Sequence, residues 1–534
     1  MKSIGPARGA MRSEYSYSNV VPSSTTLTYE GIFNSTYFEL NSKETQKSMN
    51  MEISLASVKN PISNEKEIWL GTLLKSKHDG QKINNSIDIS IALDISGSMS
   101  GERINMAKKS LTQLIQKLKD DDNIAISTFN TSSYTIFEYQ SVLNLKKSDY
   151  TSKIAVLKAD GGTNIFEAFV GAYNLMSGEK CKKNKIRRIV IITDMEDSIN
   201  ENLSKFCKSI SEEGIYITIL GISDHFRTDL AEMTSHIKGA NYVVIKNIKD
   251  IQKYLVEDFE YLCFPDATNI TLKVTTPYIK IKRIVGSGKE GVKEDMDKTH
   301  WNLERHKFYS DDFKEKIFFL LLYFKRKNRV LPKPVILTLS EFMVPGVKTE
   351  ICNILTSFPS QIKTLQGNKI FVEGGMILLK LDNSTIRKEN IMKFDIDYYD
   401  ELDHKKDNIS IEYSFSKENT EKNNYFSDSK IETALGLFYF AKYNRRFMKI
   451  CNMENKKKKY DEKYIRRKEF KTEMNHLEQF VKKHCIKDKN EGDNLNKDII
   501  SKYLEKMEKN VDKAIQYCSK LKKNAKKSLL NYYY

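Results

Sequence analysis

Between Ser86 and about Leu262 short β-branched runs alternate with segments of helical periodicity, and this alternation restricts the fold more than any other feature of the chain. Such runs carry too much apolar surface to leave one face in water, so they predict a mostly parallel sheet with helices on both sides. The first, SIDISIALDIS, sets Ile87, Ile89, Ile91 and Leu93 on one face. Ile104, Ala107, Leu111, Leu114, Ile115 and Leu118 then recur at helical spacing, and Asp120 to Asn123 supply the turn that ends the helix. NIAISTF reads as the next strand, SYTIFEY as an edge hairpin, and a helix is expected to open at Thr163 and run through Phe166, Ala168 and Leu175. IRRIVIITD, IYITILGI and YVVIKN complete a doubly wound α/β unit over residues 86–262. Asp88 and Ser90 are out of character for its central strand.

The flanks differ in texture. Residues 26–85 (LTYEGIFNSTYFEL, MEISLAS, EIWLGTL) and 266–416 (NITLKV, YIKIKRIV, IFFLLLYF, VILTL, IFVEGGMILLKL, ISIEYSF) are strand-like runs without intervening helices. They predict one all-β sandwich into which the α/β unit is inserted, with two separate β pieces as the alternative. Residues 1–25 read as a flexible N-terminus. From about Lys430 to Tyr534 the pattern turns helical: Ile431, Leu435, Phe438 and Ala441 mark an apolar first helix, followed by charged amphipathic segments near 473–481 and 499–521.

A formal net charge of +17 over 534 residues suggests nucleic-acid or membrane contact until it is located along the chain. Residues 441–534 hold 27 Lys and Arg against 13 Asp and Glu, so the excess belongs to a basic helical tail on a nearly neutral body. A solvated Lys-rich face is the plain reading of that tail; attraction to nucleic acid or an anionic membrane is the functional one. The seven cysteines are odd in number and widely spaced and form no CxxC pair, which argues against a disulfide framework or zinc ribbon and for a reducing compartment. The first 21 residues lack an apolar stretch of the kind that leads a secreted chain, and the longest apolar run, Ile317 to Phe324, is too short to span a bilayer. The expectation is an intracellular, cytoplasmic protein without a transmembrane segment.

Five residues read as one metal site: Asp94, Ser96 and Ser98 in LDISGSM, Thr163 in GGTNI and Asp194 in IVIITDM. Three hydroxyls and two carboxylates form an all-oxygen set suited to Mg2+, with Mn2+ or Ca2+ as alternatives. In open α/β sheets ligands bind where loops leave the carboxyl ends of strands, and Asp94, Thr163 and Asp194 all belong to that rim. Gly97, Met99, Gly162, Asn164 and Met195 flank them as the expected ligand-binding rim. Taken alone, DxSGS also suits an ordinary capped turn; its combination with GGTN and ITD favours the site.

With these three motifs in place, residues 86–262 resemble a von Willebrand factor type A domain with a metal-ion-dependent adhesion site, of an intracellular type. The resemblance covers about a third of the chain. It implies that Ser96 and Ser98 coordinate the ion directly, that Asp94 and Asp194 act mostly through water, and that Thr163 does either. It further implies a non-enzymatic adaptor whose protein partner presents an Asp or Glu to the ion. Met195 departs from the usual pattern, in which glycine follows the second aspartate, and Glu196 and Asp197 add negative charge nearby.

Type A domains also occur in chelatase, proteasome and ubiquitin-ligase assemblies, so the resemblance equally permits an accessory subunit of an ATPase or ligase complex; a third reading is nucleic-acid binding through the tail. The GxGxxG match at Gly286–Gly291 lacks a following helix and reads as a hairpin loop. Dispersed histidines give no catalytic cluster, and His484–Cys485 reads as an incidental helix pair.

Overall fold

The computed structural model describes residues 2–3, 29–34, 36–40, 47–76, 85–176, 185–194, 201–222, 230, 233–234, 237–245, 250–277, 279–286, 347–359, 362–365, 369–386, 391–452, 476, 479–481 and 483. In chain order the strands are β1 (Lys2–Ser3), β2 (Tyr37–Glu39), β3 (Met49–Lys59), β4 (Lys66–Ser76), β5 (Ile87–Asp94), β6 (Asn123–Phe129), β7 (Ser133–Ser141), β8 (Ile186–Thr193), β9 (Ile215–Ile222) and β10 (Asn241–Ile245). They continue as β11 (Ala267–Pro277), β12 (Ile281–Val285), β13 (Val347–Phe358), β14 (Ile362–Leu365), β15 (Lys369–Glu373), β16 (Met376–Leu381), β17 (Ile391–Asp400), β18 (Lys405–Ser414) and β19 (Tyr425–Phe426). The described helices of six residues or more are α1 (Tyr29–Asn34), α2 (Glu102–Lys117), α3 (Lys147–Ala155), α4 (Ile165–Met176), α5 (Glu201–Glu212) and α6 (Ser429–Asn452).

The α/β unit is a six-stranded sheet in the order β10-β9-β8-β5-β6-β7, parallel throughout except for the antiparallel edge strand β7. Every residue of β5 is buried. On one face Ile87, Ile89, Ile91 and Leu93 pack with Ile104, Ala107, Leu111 and Leu114 of α2. On the other, Ala92, Ile189 and Ile191 pack with Phe169 and Ala172 of α4 and with Leu203 and Ile210 of α5. This is the doubly wound arrangement that the alternation of runs predicts. Asp88 tolerates its central place because Oδ1 accepts a hydrogen bond of 2.7 Å from Asn123 Nδ2 on the neighbouring strand.

Outside this unit lie two five-stranded sheets, β1-β13-β11-β17-β18 and β12-β16-β4-β3-β19, and a three-stranded sheet, β14-β15-β2. Strands from before and after the α/β unit share one sheet: Leu70 of β4 lies opposite Leu379 of β16. Leu55, Leu70, Leu272, Val274, Leu379, Phe394 and Ile396 join the two five-stranded sheets in a common apolar layer. A separate cluster brings Leu435, Phe438 and Tyr439 of α6 against Trp69 of β4 and Phe33 of α1. The expected strands at IFFLLLYF and VILTL, most of the N-terminal 25 residues and most of the basic tail lie outside the described residues. Among those described, no helix is long and apolar enough to cross a membrane.

Candidate metal centre

Asp94 closes β5 at the carboxyl end of the sheet, and one further bond, Ile95 N donating to Phe129 O of β6 at 2.8 Å, precedes the turn. Asp94 is fully buried. Its Oδ1 accepts from Ser96 N at 2.8 Å, which folds the chain back, and its Oδ2 accepts from Thr193 Oγ1 at 2.6 Å, which ties the ends of β5 and β8 together. A single 3-10 turn over Gly97–Met99 follows, and Gly101, at φ 81° and ψ −126°, turns the chain into α2. That backbone region is open to glycine and strained for other residues.

The turn brings Ser96 Oγ within 3.1 Å of Ser98 Oγ. Gly97 N donates to Gly161 O at 2.9 Å, and Asp160 N donates to Ile95 O at 2.7 Å, so the loop carrying Thr163 is stitched to the loop carrying the serines. Asp194 follows β8 and is buried; Arg103 Nη1 donates to its Oδ2 at 3.1 Å and to Ser98 O at the same distance. Asp194 Oδ1 is buried with no hydrogen-bond partner among the described residues. Burial pushes the Asp94 carboxyl above its ordinary value; hydrogen bonds from Ser96 and Thr193 oppose the rise, and the charge of Asp194 adds to it.

The rim thus carries oxygen donors only: a hydroxyl pair in the loop after β5 and, at the end of the neighbouring strand β8, a buried carboxylate oxygen that lacks a donor among the described residues. Such donors suit Mg2+ and fit soft metals poorly. Among the described residues no three His, Cys, Asp or Glu side chains cluster as a metal shell, so an ion bound at this rim would depend on the serine and threonine hydroxyls.

The rim expected from sequence is partly revised. Gly97 and Gly162 are exposed at the loops, but Met99 is wholly buried in the core under α2, because the 3-10 turn rotates its side chain inward. Asn164 caps α4: its Oδ1 accepts from Phe166 N at 3.2 Å and from Glu167 N at 3.4 Å, and the helix therefore opens at Ile165, not at Thr163. Met195, Glu196 and Asp197 lie outside the described residues. Sequence reasoning missed Thr193 and Arg103. The threonine of ITD was a usable signal, since a hydroxyl at a strand end beside an aspartate has a carboxylate in reach. Arg103, in the first turn of α2, had no comparable signal.

Residues 88–257 match the von Willebrand factor type A domain family, so the chain carries a domain of this type over about a third of its length. The chain is 28% identical over 174 residues to the uncharacterized protein sll0103 of Synechocystis sp., a match covering 32% of this chain and 40% of that protein. It is 27% identical over 194 residues to the voltage-dependent calcium channel subunit alpha-2/delta-3 of Mus musculus, covering 33% of this chain and 17% of the subunit. The chain thus spans less than half the length of either relative. Among solved structures, a von Willebrand factor type A protein from Catenulispora acidiphila is similar at a TM-score of 0.42 and 11% identity, covering 74% of this chain and 81% of that one.

Proposed function

Starting from the von Willebrand factor type A domain at residues 88–257, we propose that this protein is a metal-dependent protein–protein interaction module, a binding element and not a catalyst. Ser96, Ser98 and Thr163 would hold Mg2+ through their hydroxyls, with Asp94 and Asp194 supporting it. When bound, the ion supplies a positively charged position open to an oxygen of a partner, because Mg2+ retains exchangeable waters in its shell. A partner Asp or Glu is the matching group.

The chain's own residues set the terms of that contact. Asp94 is braced from both sides by Ser96 N and Thr193 Oγ1, so its carboxylate cannot swing away. Arg103 neutralises one oxygen of Asp194 and so reduces the repulsion that an arriving carboxylate meets. The two-sheet body would hold the α/β domain in place, and the Lys-rich tail would offer a second contact. The observation that carries this reading is the hydroxyl pair at 3.1 Å together with the donorless, buried Asp194 Oδ1.

The test is affinity capture with the full chain as bait, in Mg2+ and in EDTA, alongside Asp94→Ala. A specific partner should be retained in Mg2+ and lost on chelation and in the variant. Capture indifferent to both treatments overturns the proposal.

A further inference from the structure

A cavity of about 430 Å³ opens between β4, β12, β16 and α6, on the two-sheet body. Among the described residues, Lys280, Lys282, Arg283, Lys380 and Lys442 line it against one carboxylate, Glu67. That carboxylate is already engaged. It accepts from Lys380 Nζ at 2.7 Å, Asn60 Nδ2 at 3.0 Å, Trp69 Nε1 at 3.0 Å and Tyr439 Oη at 2.5 Å. Burial would raise its pKa, yet these hydrogen bonds and the charge of Lys380 hold it below the ordinary value. Lys282 pairs with Asp382 at 3.1 Å. Among the described residues no carboxylate pairs with Lys280 or Arg283.

Arg283 is also oriented. Its guanidinium lies 5.5 Å from the centre of the Tyr29 ring and 5.4 Å from that of Phe438, and one nitrogen donates to Tyr29 Oη at 3.4 Å. Beyond the N–H given to Tyr29, the planar guanidinium has further donors, the group that recognises phosphate in a bidentate manner. Clustered like charges repel one another, and a concave site focuses their field, so a multiply charged anion relieves a cost already present in the fold. The volume falls within the range of roughly 300–1,000 Å³ usual for small-ligand pockets, well above the room one phosphate needs.

From this convergence we propose that the pocket binds a compact, multiply phosphorylated small anion, at a site separate from the rim of the α/β domain. The ligand is either a free solute or a lipid headgroup of the same chemistry.

The full chain is titrated calorimetrically with sodium pyrophosphate at low salt, with sodium sulfate as the control. Saturable one-site pyrophosphate binding is expected. It should weaken at least about tenfold in Arg283→Ala, the loss of a charge-assisted pair, and less in Arg283→Lys. Lys280→Glu, at an exposed position that spares folding, should weaken it too, whereas Asp94→Ala should leave it unchanged and so separates this site from the proposed metal centre. No saturable binding, equal binding of sulfate, or binding unaffected by either pocket variant overturns the proposal. Phosphatidylcholine vesicles carrying phosphatidylinositol bisphosphate then distinguish the two sources: Arg283-dependent sedimentation assigns a headgroup, and pyrophosphate binding without sedimentation assigns a free solute.

Discussion

Thr193 and Asp94 illustrate how much depends on a hydroxyl outside the recognised motif residues. The Thr193 hydroxyl holds Asp94 Oδ2 at 2.6 Å and so fixes the carboxylate beside which the serines turn. Residues that orient metal ligands from behind contribute substantially to affinity. At the proposed Mg2+ site, Thr193→Val, close in shape but without the donor, should therefore weaken Mg2+ binding roughly 10–100-fold in calorimetric titration and, by leaving a buried carboxylate oxygen without that donor, cost about 1–3 kcal/mol of stability. Unchanged affinity would mean that Asp94 is positioned by the backbone alone. Arg188 presents the opposite case, a cation carried in a strand that reads as apolar. It is fully buried, with Nε donating to Cys263 O at 2.6 Å and Nη1 to Thr218 Oγ1 at 2.8 Å, and burial lowers its pKa to about 10. Its guanidinium carbon lies 5.2 Å from the Phe358 ring of β13, so one side chain bridges the α/β sheet and the two-sheet body. Arg188→Met keeps much of the bulk but strands these acceptors, and should cost about 3 kcal/mol of unfolding free energy in urea titrations.

Helix α4 shows what an element's first residue decides. Asn164 satisfies two of the helix's free N–H groups, and its own N donates to Asn130 O at 2.7 Å, so the cap anchors both the helix and the loop that carries Thr163. Asn164→Ala should lower stability by about 1 kcal/mol in chemical denaturation, with a weaker Mg2+ affinity if Thr163 is a ligand. The start at Ile165 was legible in the asparagine, a strong capping residue, although the apolar periodicity alone placed the helix earlier. Met99 was less legible. A 3-10 turn and an α-helical turn send the third residue after Ser96 in different directions, and the residues GSM do not distinguish them.

At the scale of the whole molecule, the units meet around buried polar groups. Asp266, where the chain passes from the α/β unit into β11, is fully buried. Burial raises its pKa well above the ordinary carboxylate value; the Ser76 hydroxyl opposes that rise and the charge of Asp400 adds to it. A carboxyl with a raised folded-state pKa contributes stability that is complete below its unfolded pKa and is lost as pH climbs through the folded value. Asp266→Asn should consequently unfold at a higher temperature than the parent at neutral pH, and the difference should disappear in acid, as scanning calorimetry across pH will show. A constant difference at all pH values would exclude ionisation of Asp266 as the cause.

The sequence by itself determined the α/β unit, because hydrophobic period is a local signal, and it put Asp94, Ser96, Ser98, Thr163 and Asp194 forward as candidates, because the rule that loops at carboxyl strand ends converge needs only the strand order. The tertiary structure alone decided that Leu70 pairs with Leu379, that Arg188 bridges two units, that Arg103 reaches Asp194, and that five cations from β12, β16, α6 and an adjoining loop converge on one pocket. Those relations join residues far apart in the chain, and no local period or propensity records which distant partner a buried or charged side chain will meet.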